Sequence, residues 1–164
     1  MKRQIRKGTF ETNSSSLHAL CISENSYYLT NLPDVIYFGR GEYAWAFDVL
    51  QSLEEKASYL YEAILRYDYK EEMLERLEDI LSNYGVQCLF DDCDTGYISL
   101  GISVAWVEEL LYGQPDKLIT YLFGDSFVLT GNDNDDRVTD YLYGDGWMDD
   151  TVKPEFAHYD VQIM

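Results

Sequence analysis

The amino-acid sequence predicts an α+β protein, and three observations lead to this class. Two successive segments in the middle of the chain carry helix caps followed by apolar residues at helical spacing. Short runs of β-branched and aromatic residues lie on both sides of them. Gly, Pro, Asn and Asp separate these runs in the way that turns separate strands. We expect a mixed or antiparallel sheet, a helical hairpin and additional short helices in a single domain, residues 1–164.

The helical hairpin is predicted by two capping patterns. Ser52-Leu-Glu-Glu55 is a capping box, and Asp68-Tyr-Lys-Glu71 repeats it with Asp68 as the cap. The apolar face of the first helix is Leu53, Ala57, Leu60 and Ile64, and that of the second is Met73, Leu77, Ile80, Leu81 and Tyr84. Gly85 is placed where a helix is expected to stop. The charged residues of the hairpin, such as Glu71, Glu72, Glu75, Arg76 and Glu78, are expected to face solvent.

The remaining elements are shorter. Strands are predicted at residues 3–10, 17–22, 27–29, 35–38, 86–90, 97–100, 127–130 and 156–163, the last of them as an edge strand. The first two strands would form a hairpin. A short helix is predicted from a cap at Ser103 to Tyr112. Pro115, which suits the first turn of a helix, opens another one, with an apolar face of Leu118, Ile119, Leu122 and Phe123.

Composition places the chain among globular proteins and gives it a large negative charge. Of 164 residues 46% are hydrophobic, which is enough for a core. Tyrosine supplies 15 of the aromatic residues, and such a set suits either an interface or half-buried sheet faces. The net charge is −18, and residues 78–164 hold 18 acidic and three basic residues. This charge serves either solubility or attraction to a basic partner, and it disfavours direct nucleic-acid binding.

The most acidic segment is residues 130–150. It contains seven aspartates and one basic residue, Arg137, with aromatic residues set between them. Carboxylates beside Tyr and Trp side chains are typical of a folded surface that binds a cationic partner. We therefore predict a partner-binding site made of Asp133, Asp135, Asp136, Asp140, Tyr141, Tyr143, Asp145, Trp147, Asp149 and Asp150.

A Ser/Asn-rich segment near the start contains weak candidates for catalysis. Ser14, Ser15 and Ser16 lie close to His18, a combination that suggests a nucleophile and its base. The alternative is a turn followed by a strand, in which His18 has a structural partner. No G-x-S-x-G motif supports the catalytic interpretation.

Two possible kinds of metal site receive little support. His18, Cys21, Cys88 and Cys93 are formally a zinc set, but residues 18 and 21 of one strand point to opposite faces. Buried free thiols are the alternative, and three cysteines suit a reducing cytosol. Asp91, Asp92, Asp94, Asp133 and Asp135 would form a two-metal site only if the fold gathered them. We predict no metal site and no cofactor.

The sequence also predicts a location. No apolar run approaches the length of a membrane span, and Met1-Lys-Arg is not followed by the apolar region of a signal peptide. We expect a soluble, cytoplasmic protein without membrane contact.

Several segments carry a resemblance to a protein family. Residues 10–18, Phe-Glu-Thr-Asn-Ser-Ser-Ser-Leu-His, resemble the N-terminal FETNSSSxH signature of a family of small acidic proteins from bacteriophages and Gram-positive bacteria. Residues 41–45, 56–61 and 118–135 are similar to later segments of that family. Its members carry an Asp-His pair after a Gly-Tyr-Ile segment. Here residues 96–101 contain no His, so a His-dependent activity of the family is expected to be lost.

The resemblance implies a mobile-element setting rather than an activity. In that setting, small acidic proteins often block host nucleases, including CRISPR effectors. Our prediction is a non-enzymatic, anti-CRISPR-like inhibitor that acts as a DNA mimic in the host cytoplasm and occupies the nucleic-acid-binding groove of a basic host protein. Two alternatives stay open: a small metal- or Ser/His-dependent hydrolase acting on nucleotides or nucleic acid, and a structural or regulatory phage protein.

Overall fold

The structure is a computed structural model that describes residues 16–24, 31–43, 45–92, 105–144 and 151–164. The predicted strands at residues 3–10, 27–29 and 97–100, with the turn at 12–15 and the cap at Ser103, lie outside these ranges. Helices and strands follow one another in irregular order along the described chain, and the strands form two separate sheets. The predicted α+β class is therefore confirmed. No described helix combines the length and the apolar character that crossing a membrane requires.

The elements follow one another in this order. The strands are β1 (Ala19–Ser23), β2 (Val35–Phe38), β3 (Asp48–Leu50), β4 (Gln87–Phe90), β5 (Phe127–Thr130) and β6 (Tyr159–Ile163). The α-helices are α1 (Leu53–Ile64), α2 (Lys70–Ser82), α3 (Ala105–Glu108), α4 (Pro115–Phe123) and α5 (Arg137–Tyr143). A π-helical turn, Glu109–Gly113, connects α3 to α4, and a 3-10 turn, Pro154–Phe156, precedes β6.

The larger sheet has four antiparallel strands in the order β3-β5-β1-β6. Leu20 pairs with Val128 of β5 on one side and with Gln162 of β6 on the other. Every residue of β1 and β5 is buried, as expected for interior strands covered on both faces. Among the described strands, the predicted edge position of the last strand is confirmed, although the strand begins at Tyr159 and Phe156 belongs to the 3-10 turn.

Side chains of β1 divide the core into two parts. Leu20 and Ile22 face α1 and α4, within the main hydrophobic cluster. Ala19 and Cys21 point the other way, into a smaller cluster that includes Val138 of α5. This alternation follows from the two-residue period of a strand. The sheet is therefore a middle layer, with α5 on the face opposite to α1.

A second, two-stranded sheet pairs β2 with β4 in parallel. Ile36 and Phe38 are buried on the side of α1, whereas Val35 and Tyr37 are exposed on the other side. The strand patterns at residues 35–38 and 86–90 predicted both strands, with β4 beginning at Gln87. The pairing itself, between residues that are far apart in sequence, was not predicted.

Helix α1 begins where its capping box predicts, but two of its charged residues are buried. Ser52 Oγ accepts a hydrogen bond from Glu55 N at 3.2 Å, and Glu55 Oε2 accepts one from Ser52 N at 2.9 Å, so the capping box forms. Every residue from 56 to 64 is buried, including Lys56 and Glu62. The expectation that the charged residues of the hairpin face solvent is wrong for Lys56 and Glu62, because α1 packs against β2, α2, α3 and α4. It is confirmed for Glu71, Glu72, Glu75 and Glu78 of α2, which are exposed.

Helix α2 begins one residue later than its capping pattern predicts. The residue before the first helical one is Tyr69, and no side chain caps it. Glu71 is then the second residue of the helix rather than the third, so the reciprocal bond of a capping box with Asp68 does not form. The predicted stop is confirmed: Gly85 adopts a φ of 76°, the left-handed conformation that glycine tolerates.

Candidate partner-binding surface

The described part of the acidic segment is a turn followed by helix α5. Asn132 Oδ1 accepts a hydrogen bond from Asn134 N at 2.9 Å, and Asp135 N donates to Asn132 O at 3.2 Å. Asp135 Oδ1 then accepts a bond from Arg137 N at 3.0 Å, at the start of the helix. These bonds satisfy backbone groups with local side chains. Residues 132–143 therefore form an ordered structure with a defined backbone.

Helix α5 separates its apolar and acidic side chains. Val138 and Leu142 are buried against the sheet. Asp133 and Asp136 are exposed, and Asp140 is half-buried. Asp135 is also half-buried and forms an ion pair with Arg137. Four of the predicted partner-binding carboxylates thus lie within one turn and helix, and none of the four is buried.

The two described tyrosines of the predicted site are half-buried. The ring of Tyr141 stacks on Phe156 with centroids 5.4 Å apart, and it also contacts Phe47 and Phe127. Much of its surface therefore serves internal packing. Tyr143 packs against the same smaller cluster. The other predicted site residues, Asp145, Trp147, Asp149 and Asp150, lie outside the described residues.

Arg137 reduces the negative charge of this surface locally. Its guanidinium bonds to Asp135 and holds the pKa of that carboxyl below its usual range. The same guanidinium lies 5.4 Å from the ring centroid of Phe47, within cation–π distance.

Acidic side chains extend well beyond α5. Of the 18 acidic residues in the second half of the chain, 14 lie in the described ranges, and none of these is buried. They are Glu78, Asp79, Asp91, Asp92, Glu108, Glu109, Asp116, Asp125, Asp133, Asp135, Asp136, Asp140, Glu155 and Asp160. Lys117 offsets one of them, since its Nζ lies 2.9 Å from Asp160 Oδ2. The protein therefore presents its carboxylates to solvent over several elements.

Two of the candidate catalytic residues, Ser16 and His18, are described, and both form backbone contacts with residues that follow neighbouring strands. Ser16 forms a single antiparallel bridge with Asn132, and His18 exchanges backbone hydrogen bonds with Met164. The His18 ring has no solvent exposure, and its Nδ1 lies 2.7 Å from the hydroxyl of Tyr59. A base needs access to its substrate. The geometry therefore favours the structural interpretation of His18; Ser14 and Ser15 lie outside the described residues.

The two described cysteines, Cys21 and Cys88, are buried free thiols. Cys21 faces the α5 side of the sheet, while His18 faces α1, so the predicted divergence of their side chains is confirmed. Burial raises the pKa of both Cys21 and Cys88 to about 12, which keeps these thiols protonated and unreactive at neutral pH. Cys93 lies outside the described residues.

The aspartates considered for a two-metal site are not gathered in the described structure. Asp91 and Asp92 follow β4 of the smaller sheet, whereas Asp133 and Asp135 precede α5 on the larger one. Among the described residues, no group of three or more His, Cys, Asp or Glu side chains is placed to hold a metal ion.

The sequence analysis missed a charged network inside helix α1. Glu62 is 2% exposed and accepts hydrogen bonds from Arg40 Nε at 2.5 Å and from Gly41 N at 3.0 Å. Lys56 is 1% exposed, and its Nζ donates to Gly124 O, at the end of α4, at 2.9 Å. The sequence feature that could have indicated these buried charges is the position of Lys56 and Glu62 in a run of mostly apolar and aromatic residues. Their partners come from distant segments.

The site and the fold were compared with known proteins. No protein-family model, no curated protein and no solved structure matches this chain. The resemblance of residues 10–18 to a phage family therefore remains a prediction.

Proposed function

We propose that this protein is a phage-type counter-defence inhibitor that binds a basic nucleic-acid-binding protein of the host through its acidic surface. The observation that carries the proposal is the solvent access of the 14 described acidic residues in the second half of the chain. A CRISPR effector is the host target that the family resemblance implies, and its nucleic-acid groove is the proposed binding site.

The physical basis is competition with a polyanion. Duplex DNA carries about one negative charge per ~1.7 Å of its axis, and proteins that bind it place Lys and Arg along that density. A folded surface with carboxylates at fixed positions attracts the same side chains. The turn and helix at residues 132–143 support such fixed positions, because the buried side chains of Val138 and Leu142 attach α5 to the sheet.

The alternative functions have weaker support. A Ser/His-dependent hydrolase needs an accessible base, and the His18 ring is fully buried. A cavity of about 270 Å³ lies beside Ser23, Lys117 and Asp160, and His18 does not line it. A structural or regulatory virion protein would be distinguished by its presence in purified virions and by the absence of any effect on host nucleases.

The test is binding to a purified host effector at increasing salt. We expect the affinity to fall steeply between about 50 and 200 mM salt, as it does when charge attraction dominates. The variant Asp133→Asn/Asp135→Asn/Asp136→Asn/Asp140→Asn should bind more weakly and show a smaller salt dependence. An affinity that is indifferent to salt, or unchanged in this variant, would contradict the proposal.

A matched control removes the same charge elsewhere. Glu42, Glu54, Glu71 and Glu75 are exposed and belong to the first half of the chain. Replacing these four with Gln changes the net charge equally but leaves the α5 surface intact. If the control loses as much affinity as the aspartate variant, net charge alone accounts for binding and the proposed surface is wrong.

A further inference from the structure

A second surface combines exposed tyrosines with carboxylates. Tyr69 is 42% exposed at the start of α2, and Tyr112 is 47% exposed in the π-helical turn. Glu72 and Glu108 are exposed beside them. We call Tyr69, Glu72, Glu108 and Tyr112 the tyrosine face. It lies outside the acidic segment of residues 130–150, and none of its residues was predicted as a site.

One hydrogen bond and the spacing along two helical segments place these four side chains near one another. The Tyr69 hydroxyl donates a hydrogen bond to Glu108 Oε1, which connects the start of α2 to the end of α3. Tyr69 and Glu72 are three residues apart at the start of α2, and Glu108 and Tyr112 are four residues apart where α3 continues into the π-helical turn. Desolvation, Glu72 and Glu108 raise the pKa of the Tyr112 hydroxyl, whereas Arg76 lowers it. Tyr67 packs behind Tyr69, with ring centroids 5.2 Å apart.

The backbone beneath this surface is fixed by specific bonds. Arg76 Nε of α2 donates to Leu111 O at 3.0 Å, so α2 is joined to the π-helical turn directly before Tyr112. Leu110 and Leu111 are buried in the main core. A π-helical turn costs stability relative to an α-helix and is often found at functional sites. Here it places the Tyr112 ring in solvent while its neighbours remain in the core.

The chemistry of this surface suits a guanidinium group. A tyrosine ring attracts a cation over its face, and Arg makes this contact more often than Lys because its planar group also stacks. A carboxylate beside the ring accepts hydrogen bonds from the same guanidinium. The nearby cation, Arg76, directs its Nε to a backbone carbonyl. Exposed Tyr rings are also frequent anchors of protein interfaces.

We propose that the tyrosine face binds arginine side chains of the basic partner, with Tyr69 and Tyr112 as stacking platforms and Glu72 and Glu108 as acceptors. This inference rests on the proposed function, because it assumes a basic protein partner, and it adds a preference for Arg over Lys. A basic partner is favoured over a second copy of this chain, because two copies that each carry a net charge of −18 repel each other.

The experiment measures binding of oligoarginine and oligolysine peptides of equal length to the full chain by calorimetry. We expect tighter binding of oligoarginine. Each ring is expected to contribute roughly two- to fivefold, so Tyr69→Ala/Tyr112→Ala should lower oligoarginine affinity about tenfold and remove the preference over oligolysine. Tyr37→Ala is the matched control, since Tyr37 is 53% exposed on β2. It should bind like the unmodified protein.

A second variant distinguishes loss of the aromatic rings from loss of folding. Tyr69→Phe/Tyr112→Phe keeps both aromatic faces and should retain most of the preference for Arg, and unchanged melting temperatures would show that all variants fold. Equal binding by the double alanine variant and the unmodified protein would overturn the inference. The same conclusion follows if Tyr37→Ala loses as much affinity, or if neither peptide binds.

The outcomes also separate this inference from the proposed function. If the double alanine variant binds oligoarginine normally while the four-aspartate variant loses effector binding, the tyrosine face is wrong and the acidic-surface proposal stands. If the double alanine variant loses the Arg preference but the protein binds no host effector, the face stands and the proposed target is wrong.

Discussion

The hydroxyl of Tyr59 lies 2.7 Å from Nδ1 of His18, and neither side chain has any solvent exposure. This hydrogen bond joins the segment before β1 to the middle of helix α1. The Tyr59 ring also stacks on Trp106 of α3, with centroids 5.9 Å apart. Burial raises the pKa of the Tyr59 hydroxyl, so it remains neutral and able to donate. Three elements of the core therefore meet at one tyrosine.

Removing the hydroxyl of Tyr59 should destabilise the protein. Tyr59→Phe keeps the ring packing but removes a buried hydrogen-bond partner of His18 Nδ1, and a polar atom deprived of its partner costs about 1–3 kcal/mol. Urea unfolding should show a lower midpoint with an unchanged slope. Tyr112→Phe, at an exposed ring, is the control and should leave the midpoint unchanged. Equal midpoints for Tyr59→Phe and the unmodified protein would show that the bond contributes nothing.

The buried Lys56 predicts a specific dependence of stability on pH. Burial lowers the pKa of its ammonium from 10.5 to about 8, with Asp125 opposing the shift. Between these values the unfolded chain binds a proton that the folded chain does not, so Lys56 makes folding more favourable as pH rises from 8. Near pH 9 this contribution should amount to about 1 kcal/mol per pH unit.

The comparison with Lys56→Met isolates this effect. The thiols of Cys21 and Cys88, whose raised pKa values have the opposite sign, destabilise the fold above pH 9 in both proteins. We therefore expect the difference in free energy of unfolding, unmodified protein minus variant, to increase from pH 8 to 9.5. Urea unfolding at several pH values measures it. A constant difference would mean that the Lys56 ammonium has an ordinary pKa in the folded protein.

The elements that the sequence predicts well are those with local signals. The capping box of Ser52 and Glu55, the proline at position 115 and the glycine at position 85 each act within one turn of backbone, so their effects do not depend on distant residues. Two elements were missed for the opposite reason. β3 has only three residues, too few to show an alternation of apolar and polar side chains. In α5 the buried apolar residues, Val138 and Leu142, are too few among acidic neighbours to show a helical pattern.

The candidate surfaces also combine features that the sequence shows locally with features that depend on distant residues. The acidic composition of residues 130–150 is visible in the sequence, but the use of Tyr141 in packing depends on Phe47, Phe127 and Phe156, which come from other elements. The tyrosine face joins residues 69 and 108 through a side-chain contact across 39 positions. Neither composition nor periodicity indicates such a contact, because it depends on how α2 and α3 pack in the folded chain.

The ion pair between Arg40 and the buried Glu62 of helix α1 should be far more important for stability than the pair of Arg137 and Asp135 at α5. Arg40→Ala leaves the carboxylate of Glu62 buried without its guanidinium partner, a loss that typically costs about 3–5 kcal/mol. Arg137→Ala removes an exposed partner of Asp135 and should leave the free energy of unfolding nearly unchanged, because solvent screens such a pair. Thermal and urea unfolding of the two variants test this ranking. Similar losses would show that the burial of Glu62 does not make its ion pair more important than the exposed one.

The position of α5 over the sheet depends on a glycine. A Cβ atom added at Gly131 would lie 2.6 Å from Val138 Cγ2, much closer than carbon atoms approach in folded proteins. Gly131→Ala should therefore push α5 away from β5 and cost about 1–3 kcal/mol through overpacking. Gly113→Ala is the matched control, because its nearest neighbour would be Glu109 Cγ at 3.8 Å.

The same substitution connects packing to the proposed function. Moving α5 also moves Asp136 and Asp140, so Gly131→Ala should weaken effector binding although it changes no charge. Gly131→Ala/Val138→Ala, which removes the clashing methyl groups, should recover part of the affinity because α5 can return towards the sheet. Binding curves for the single variant, the double variant and Gly113→Ala provide the measurement. If Gly131→Ala is less stable but binds with unchanged affinity, the fixed position of the α5 carboxylates is not what the partner recognises.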